Sequence, residues 1–262
     1  MPATMTKAAV KPTKAAKPRM TLAETMAALE KAGSEQTRKT YMRHGGVGPM
    51  FGVSFATLKT LVKQIRVDQD LALALWGTGN FDARILALKV ADPQRMTSAV
   101  LDRWADASSP PMCGNYLGAL AAEGPLAAAK AEEWLAAPAG SRRTNGWALL
   151  AQLALIDDTT PDAWFAKRLE TIETSIHAAR NADKGAMNGA LIAIGSRSSA
   201  LRKAAIAAAK RIGKIEVDHG DTECKTPDAA TYIEKAWAHS TSKGFASPAA
   251  HERSREPMRL RC

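Results

Sequence analysis

Apolar residues recur three or four positions apart along most of this chain, in short segments separated by Gly, Pro and polar residues. That spacing is typical of amphipathic α-helices, because it places the apolar side chains on one face. In segment 55–65, Leu58 and Ile65 fall on one face, and Lys59 and Lys63 fall on the other. The pattern predicts helices over 22–32, 34–43, 55–65, 68–77, 82–91, 95–105, 113–122, 125–136, 143–155, 162–172, 175–182, 184–194, 199–212 and 227–239.

Three of these helical segments are similar to one another. Residues 83–91, 145–154 and 187–195 are each rich in small residues and Leu, and each follows a more polar helix. Such pairs are typical of a helical solenoid, in which each repeat buries its apolar face against the next one. An irregular helical bundle is the alternative, because the repeats have no fixed period. Both interpretations predict an all-α protein.

The composition agrees with a helical protein and limits its chemistry. Hydrophobic residues make up 46% of the chain but aromatic residues only 5%, whereas strands favour aromatic and β-branched side chains. No apolar run approaches the roughly 20 residues of a membrane helix. The three cysteines form no C-x-x-C pair that would indicate a zinc cage. We therefore expect a monomeric cytoplasmic protein with no cofactor, metal or membrane partner.

Positive charge is concentrated in a few parts of the chain, whose formal net charge is +10. Residues 1–19 carry only basic charges, and residues 184–215 contain several Lys and Arg and no acidic residue. Lys203, Lys210 and Lys214 would share one face of a continuous helix. Basic surfaces bind nucleic acid because neutralised phosphates release counterions. The alternative is a solvated helix face with acidic partners elsewhere in the fold.

These patterns divide the chain into three parts. We expect a disordered basic arm over 1–20, a helical repeat domain over 21–239 and a flexible basic tail over 240–262. The densest polar cluster of the domain is 218–224, which contains Asp, His and Cys. Its mixture of hard carboxylates with one thiolate matches zinc ligand sets poorly. A capped turn around Gly220 is the favoured interpretation.

Several short motifs occur in an order that is more specific than any one of them. They include Tyr-Met-Arg at 41–43, Met-Phe-Gly-Val at 50–53, Leu-Ala-Leu-Trp at 73–76 and Val-Asp-His-Gly-Asp-Thr at 217–222. Over about 22–238 the chain resembles the AlkD-like DNA alkylation repair proteins of the HEAT-like repeat DNA glycosylase superfamily. The resemblance implies a curved solenoid of HEAT-like antiparallel helix pairs, with a basic concave face that holds duplex DNA.

For active members, the resemblance also implies hydrolysis of the N-glycosidic bond of cationic alkylated purines. It implies a catalytic Trp and, four residues later, an Asp that stabilises the oxocarbenium-like sugar. Pro110 and Gly114 stand at the matching positions, and the family's arginine falls near Asn145 or Gly146. Trp104 and Asp106 are the nearest substitutes. The alternatives are core packing for Trp104 and a helix-end or turn position for Asp106.

The sequence therefore predicts a DNA-binding protein of this family in which the catalytic Trp and Asp are not retained. It would recognise duplex or damaged DNA through the basic groove. Two alternatives stay open: an active glycosylase that excises N3- or N7-alkylated purines with a rearranged site, and a protein-binding helical scaffold. The predicted phosphate contacts are Arg43, Lys59, Lys63, Arg142, Arg143, Lys203, Lys210, Arg211 and Lys214.

Overall fold

The computed structural model of this chain describes residues 19–108 and 112–261, and almost all of the predicted basic arm, 1–20, lies outside these ranges. Within them the chain forms α-helices and no strand, apart from a single antiparallel bridge between Gly33 and Val53. The helices are α1 (Leu22–Ala32), α2 (Glu35–Arg43), α3 (Phe55–Ile65), α4 (Gln69–Gly77), α5 (Phe81–Val90), α6 (Ser98–Ala107), α7 (Met112–Ala122), α8 (Ala127–Ala136), α9 (Ser141–Ile156), α10 (Asp162–Ser175), α11 (Asn181–Gly195), α12 (Ser199–Ile212), α13 (Ala229–Ser242) and α14 (Pro248–Arg253).

The all-α prediction is confirmed, and most helix bounds agree with it to within a few residues. The predicted helix over 175–182 is wrong: it is replaced by a short 3-10 turn at Ile176–Ala178 and the start of α11. Arg180 has extended backbone angles, φ −62° and ψ 155°, which separate the turn from that helix. None of the helices in the described ranges has both the length and the apolar character needed to span a membrane.

Short polar side chains determine where many of these helices begin. Ser54, Asp68 and Asn80 each accept a hydrogen bond from the backbone amide three residues further along. Thr21 and Glu24 form a reciprocal capping box at the start of α1. These contacts satisfy amides that have no partner inside the helix, so the local sequence is sufficient to place the helix starts.

From α4 onward the helices form antiparallel pairs: α4 with α5, α6 with α7, α8 with α9, α10 with α11, and α12 with α13. The second helices of the pairs pack side by side as an inner row, and the first helices form an outer row. Neighbours contact each other more extensively in the inner row, as expected for a stack that curves toward it. Gly118 permits the close approach of α7 to α9, because a Cβ there would lie 2.8 Å from the carbonyl carbon of Ala148.

Residues 248–261, which we call the C-terminal strap, are folded against the inner row. The buried Lys89 ammonium of α5 donates hydrogen bonds to the carbonyl oxygens of Arg259 and Arg261, at 2.7 and 3.1 Å. The buried Arg259 guanidinium donates to the carboxylate of Glu123, at 2.9 Å. The structure differs here from the predicted flexible tail, because its basic residues find acceptors at the ends of α5 and α7.

A buried carboxylate organises the Met-Phe-Gly-Val motif. Asp82 of α5 accepts hydrogen bonds from the backbone amides of Phe51, Gly52 and Val53, at 2.7, 3.1 and 2.7 Å. Gly52 has a φ of 78°, and a Cβ there would clash with the backbone of Ser34. This motif therefore serves the fold rather than the chemistry of a site.

We expect Asp82→Asn to lower the free energy of unfolding by about 1–3 kcal/mol. The new amide group would turn a donor toward backbone amides that have no other acceptor in this buried loop. Urea unfolding measures the change. Asp70→Asn is the matched control, because the Asp70 side chain is 82% exposed, and we expect it to stay within about 0.5 kcal/mol of the parent protein. Equal stability of the two variants would contradict this role of Asp82.

Candidate nucleic-acid interface

Three arginines lie where α9 and α11 begin, side by side at one edge of the inner row. Arg142 and Arg143 lie in the first turn of α9, and Arg180 directly precedes α11. We call these three residues the edge cluster. Neither helix has a side-chain hydrogen bond at its N-cap. The positive ends of two helix dipoles therefore add to the arginine charges at this edge.

A buried carboxylate joins the two helices at this edge. Asp183 is 1% exposed and accepts two hydrogen bonds from the Nε and Nη2 atoms of Arg180, both at 3.0 Å. Arg143 Nη2 lies 3.5 Å from the same carboxylate, and the Thr144 hydroxyl is also hydrogen-bonded to it. The side chains of Arg143 and Arg180 remain 33% and 45% exposed. Two cations thus share one acid and still face solvent.

The third arginine of the cluster is paired with one of the proposed catalytic residues. Arg142 Nε donates to the Asp106 carboxylate at 2.9 Å. Trp104 is buried in the core, where its ring stacks on that of Trp76 with a centroid separation of 4.2 Å. These contacts favour the alternatives to a catalytic role, because the Asp is in an ion pair and the Trp face is covered by another ring.

The position expected for the family's catalytic carboxylate is Gly114, in the first turn of α7. A Cβ built there would lie 3.0 Å from Oδ1 of Asn145 on α9. The buried Asn145 amide nitrogen donates to the Ser108 hydroxyl at 2.7 Å and to the Ala105 carbonyl at 3.1 Å. This side chain occupies the space beside Gly114. Pro110 lies outside the described residues.

The basic residues of α12 lie apart from the edge cluster, because α12 belongs to the outer row. Lys203 and Lys210 are exposed on this helix. The helix ends at Ile212, and Gly213 adopts a φ of 71°. Lys214 therefore lies beyond the helix, which corrects the expectation that the three lysines share one continuous helical face.

Two of the predicted contacts in this region have acidic partners. Arg211 Nη2 donates to the carboxylate of Glu173 on α10, at 2.8 Å. Lys214 Nζ donates to Glu216, at 2.9 Å. Part of the positive charge of residues 184–215 is therefore paired with acidic residues outside that stretch.

The remaining predicted contacts lie near the beginning of the chain, on α2 and α3. Arg43 is exposed in the last turn of α2, while Lys59 and Lys63 lie on α3, away from its buried stripe. The loop 213–228 connects the end of α2 to the edge cluster. The Sγ atom of Cys224 lies 4.0 Å from Nδ1 of the neighbouring His44.

The other end of this loop is attached to the start of α11. The backbone amide of Asp218 donates to the side-chain carbonyl of Asn181 at 2.7 Å, and the Asn181 amide donates back to the Asp218 carbonyl at the same distance. The Asp218 carboxylate accepts from the Gly220 amide at 2.8 Å, and Gly220 has a φ of 58°. His219 is hydrogen-bonded to the Thr226 hydroxyl. In the part of the chain that the structure describes, no group of His, Cys and acidic residues could hold a metal ion.

Comparison with known proteins places the chain in a family. A family model described as DNA alkylation repair enzyme matches residues 25–233. This protein belongs to the DNA alkylation repair enzyme family. The matched residues do not include the C-terminal strap.

Two bacterial relatives and one solved structure are similar to this member of the family. The uncharacterized proteins Lin0241 of Listeria innocua and Lmo0209 of Listeria monocytogenes are 26% and 25% identical over 214 residues, which cover 79% of this chain and 93% of each relative. The solved structure represents a new family of proteins related to the HEAT-like repeat DNA glycosylases with affinity for branched DNA structures. It matches with a TM-score of 0.76 and 28% identity, over 86% of this chain and 95% of that chain. The HEAT-like repeat fold is thereby confirmed.

Two residues of the edge were not among the predicted contacts. Arg180 and Asp183 stand three positions apart, a spacing that favours an ion pair on one helix face. That signal is local and common in surface helices. The sequence contains no sign that Arg143, from the preceding pair of helices, reaches the same carboxylate.

Proposed function

We propose that this protein binds DNA through the phosphate backbone and prefers branched forms. The observation that carries the proposal is the edge cluster, which presents three guanidiniums at the starts of two adjacent helices. Phosphates are the anions of DNA, and arginine contacts to them require no particular base. Affinity for branched DNA is a property of the similar solved protein, whose fold this chain shares at 28% identity.

The proposed binding surface runs along the edge of the inner row. It includes the edge cluster and Arg43 at the end of α2. The loop 213–228 is not included, because it carries five acidic residues against two lysines. A surface assembled from several repeats can contact more than one arm of a branched molecule. That shape, rather than any base contact, would provide the preference.

The proposal does not include base excision. Cleavage of a glycosidic bond needs negative charge beside the developing sugar cation. Gly114 provides no carboxylate, and Asn145 fills the adjoining space. Asp106 is engaged by Arg142 and Trp104 by Trp76, so the nearest substitutes have structural partners.

A pair of double variants tests this surface. We expect Arg142→Ala with Arg143→Ala to weaken binding to a four-way DNA junction about tenfold, and to reduce the slope of log affinity against log salt by about 2. Lys203→Ala with Lys210→Ala is the matched control, because it removes the same charge from the outer row. Fluorescence anisotropy with the junction and with a linear duplex, at several KCl concentrations, measures both effects.

The outcomes are distinct. Binding that ignores salt and DNA shape would overturn the proposed function. A larger loss in the control than in the edge variant would move the binding surface to α12.

A further inference from the structure

Asp183 has an arrangement of partners that a simple structural ion pair does not need. One buried carboxylate is contacted by guanidiniums from two different repeats, Arg143 from α9 and Arg180 before α11. We infer that Asp183 is a positioning residue, which holds these two arginines as a preformed pair that binds one phosphodiester group of the DNA. This inference rests on the proposed DNA-binding function.

The geometry leaves donors available for such a phosphate. Arg180 donates to Asp183 from Nε and Nη2, at 3.0 Å each, and its Nη2 also donates to the Thr144 hydroxyl at 2.9 Å, while Arg143 Nη2 lies 3.5 Å from Asp183. The remaining guanidinium N–H groups belong to side chains that are one third to almost one half exposed. Arginine recognises phosphate through paired N–H groups of this kind. The pair therefore presents its donors outward while its inner side is occupied.

The charges at this point also favour an external anion. Two guanidiniums on one carboxylate leave an excess positive charge, and the starts of α9 and α11 add the positive ends of their dipoles. Thr144 already connects α9 to Asp183 through its hydroxyl, so the second arginine is not needed to join the helices. A bound phosphate would balance the excess charge.

Fixing the arginines in advance is what would make the acid useful. A long, free side chain loses conformational entropy when it binds, whereas one that is already held loses less. The burial of Asp183 keeps the carboxylate itself away from the DNA. It thus orients the cations from inside the fold, where no phosphate can contact it.

Asp183→Asn is the decisive test, because a positioning role and a purely electrostatic role of Asp183 predict opposite changes in the Kd for DNA. Removal of one negative charge should by itself tighten DNA binding. Loss of the positioning contact should weaken it, and we expect a rise of about fivefold to tenfold in the Kd for a four-way junction. Glu173→Gln is the matched control: it removes the same charge and releases Arg211 in the outer row, and we expect its Kd to stay unchanged or to fall slightly.

A second variant guards against simple unfolding. Arg143→Lys with Arg180→Lys keeps Asp183 and all charges but removes the planar guanidiniums. We expect this protein to keep its salt slope and to lose affinity by a similar factor. Thermal melts of every variant are recorded beside the binding curves.

Unchanged or tighter binding by Asp183→Asn would overturn the inference and leave the proposed DNA binding intact. Weak binding by Asp183→Asn together with parent-like binding by the double Lys variant would also overturn it, since the loss would then come from the fold. Absence of DNA binding by the parent protein would overturn both the inference and the proposed function.

Discussion

Purified protein is expected to release N3- or N7-alkylated purines from duplex DNA at least about 10²–10³-fold more slowly than an enzyme with a positioned carboxylate. Loss of one preorganised electrostatic group typically costs about 2.7–4 kcal/mol of transition-state stabilisation. Gly114 stands where the resemblance places that carboxylate, and Asn145 Oδ1 would lie 3.0 Å from any Cβ there. Binding of the same DNA should be intact, because the edge cluster does not depend on Gly114.

The assay is single-turnover base release from a defined alkylated duplex, with Asp106→Asn measured in parallel. Rapid release that this variant abolishes would show that Asp106 is a displaced catalytic carboxylate, despite its ion pair with Arg142. Rapid release that survives it would place an active site elsewhere in the groove. Either result would refute the non-catalytic proposal.

Arg259→Ala is expected to lower the free energy of unfolding by about 2–4 kcal/mol. Arg259 is buried in the C-terminal strap, where its guanidinium pairs with Glu123 at 2.9 Å. The substitution leaves the largely buried Glu123 carboxylate without this cation. Arg255→Ala is the matched control within the strap, because its side chain is 51% exposed and its ion pair is long, at 3.5 Å. We expect the control to stay within about 0.5 kcal/mol of the parent protein.

The loss caused by Arg259→Ala should depend on pH. Burial raises the pKa of Glu123 above its ordinary value, although the Arg259 guanidinium opposes that shift. A carboxyl that binds its proton more tightly in the folded state disfavours folding when ionised, and this penalty disappears as the pH falls through the raised pKa. Removal of Arg259 raises the pKa of Glu123 further. The difference in unfolding free energy between the parent protein and the Arg259→Ala variant should therefore be widest near pH 7 and should narrow toward pH 4. Urea unfolding across that range measures it. A gap that widened on acidification would exclude this role for the pair.

Local features of the sequence were sufficient to predict most of the helices. The apolar stripe of α3 and the N-caps Ser54, Asp68 and Asn80 act over three or four residues, so a one-dimensional pattern contains them. The identity of residue 114 is likewise visible without a structure. The loss of base excision is therefore predicted from the sequence, and the base-release assay tests it.

The C-terminal strap shows where such patterns fail. Its excess of Arg predicts a solvated tail, because basic segments without an apolar face are usually exposed. In the folded chain, Arg259 instead pairs with Glu123 and with the carbonyl oxygen of Lys89. Those acceptors lie at the ends of helices far away in the sequence, so only the tertiary structure brings them within reach.

Composition and periodicity alone determined that this protein is all-α with an excess of positive charge, and they left a solenoid and an irregular bundle as alternatives. The tertiary structure decided where that charge is available. Arg211 of α12 pairs with Glu173 of α10, whereas Arg143 and Arg180 from neighbouring repeats converge on Asp183. The physical reason is range: helix formation depends on contacts within one or two turns, but the partner of a charge is set by how whole helices pack.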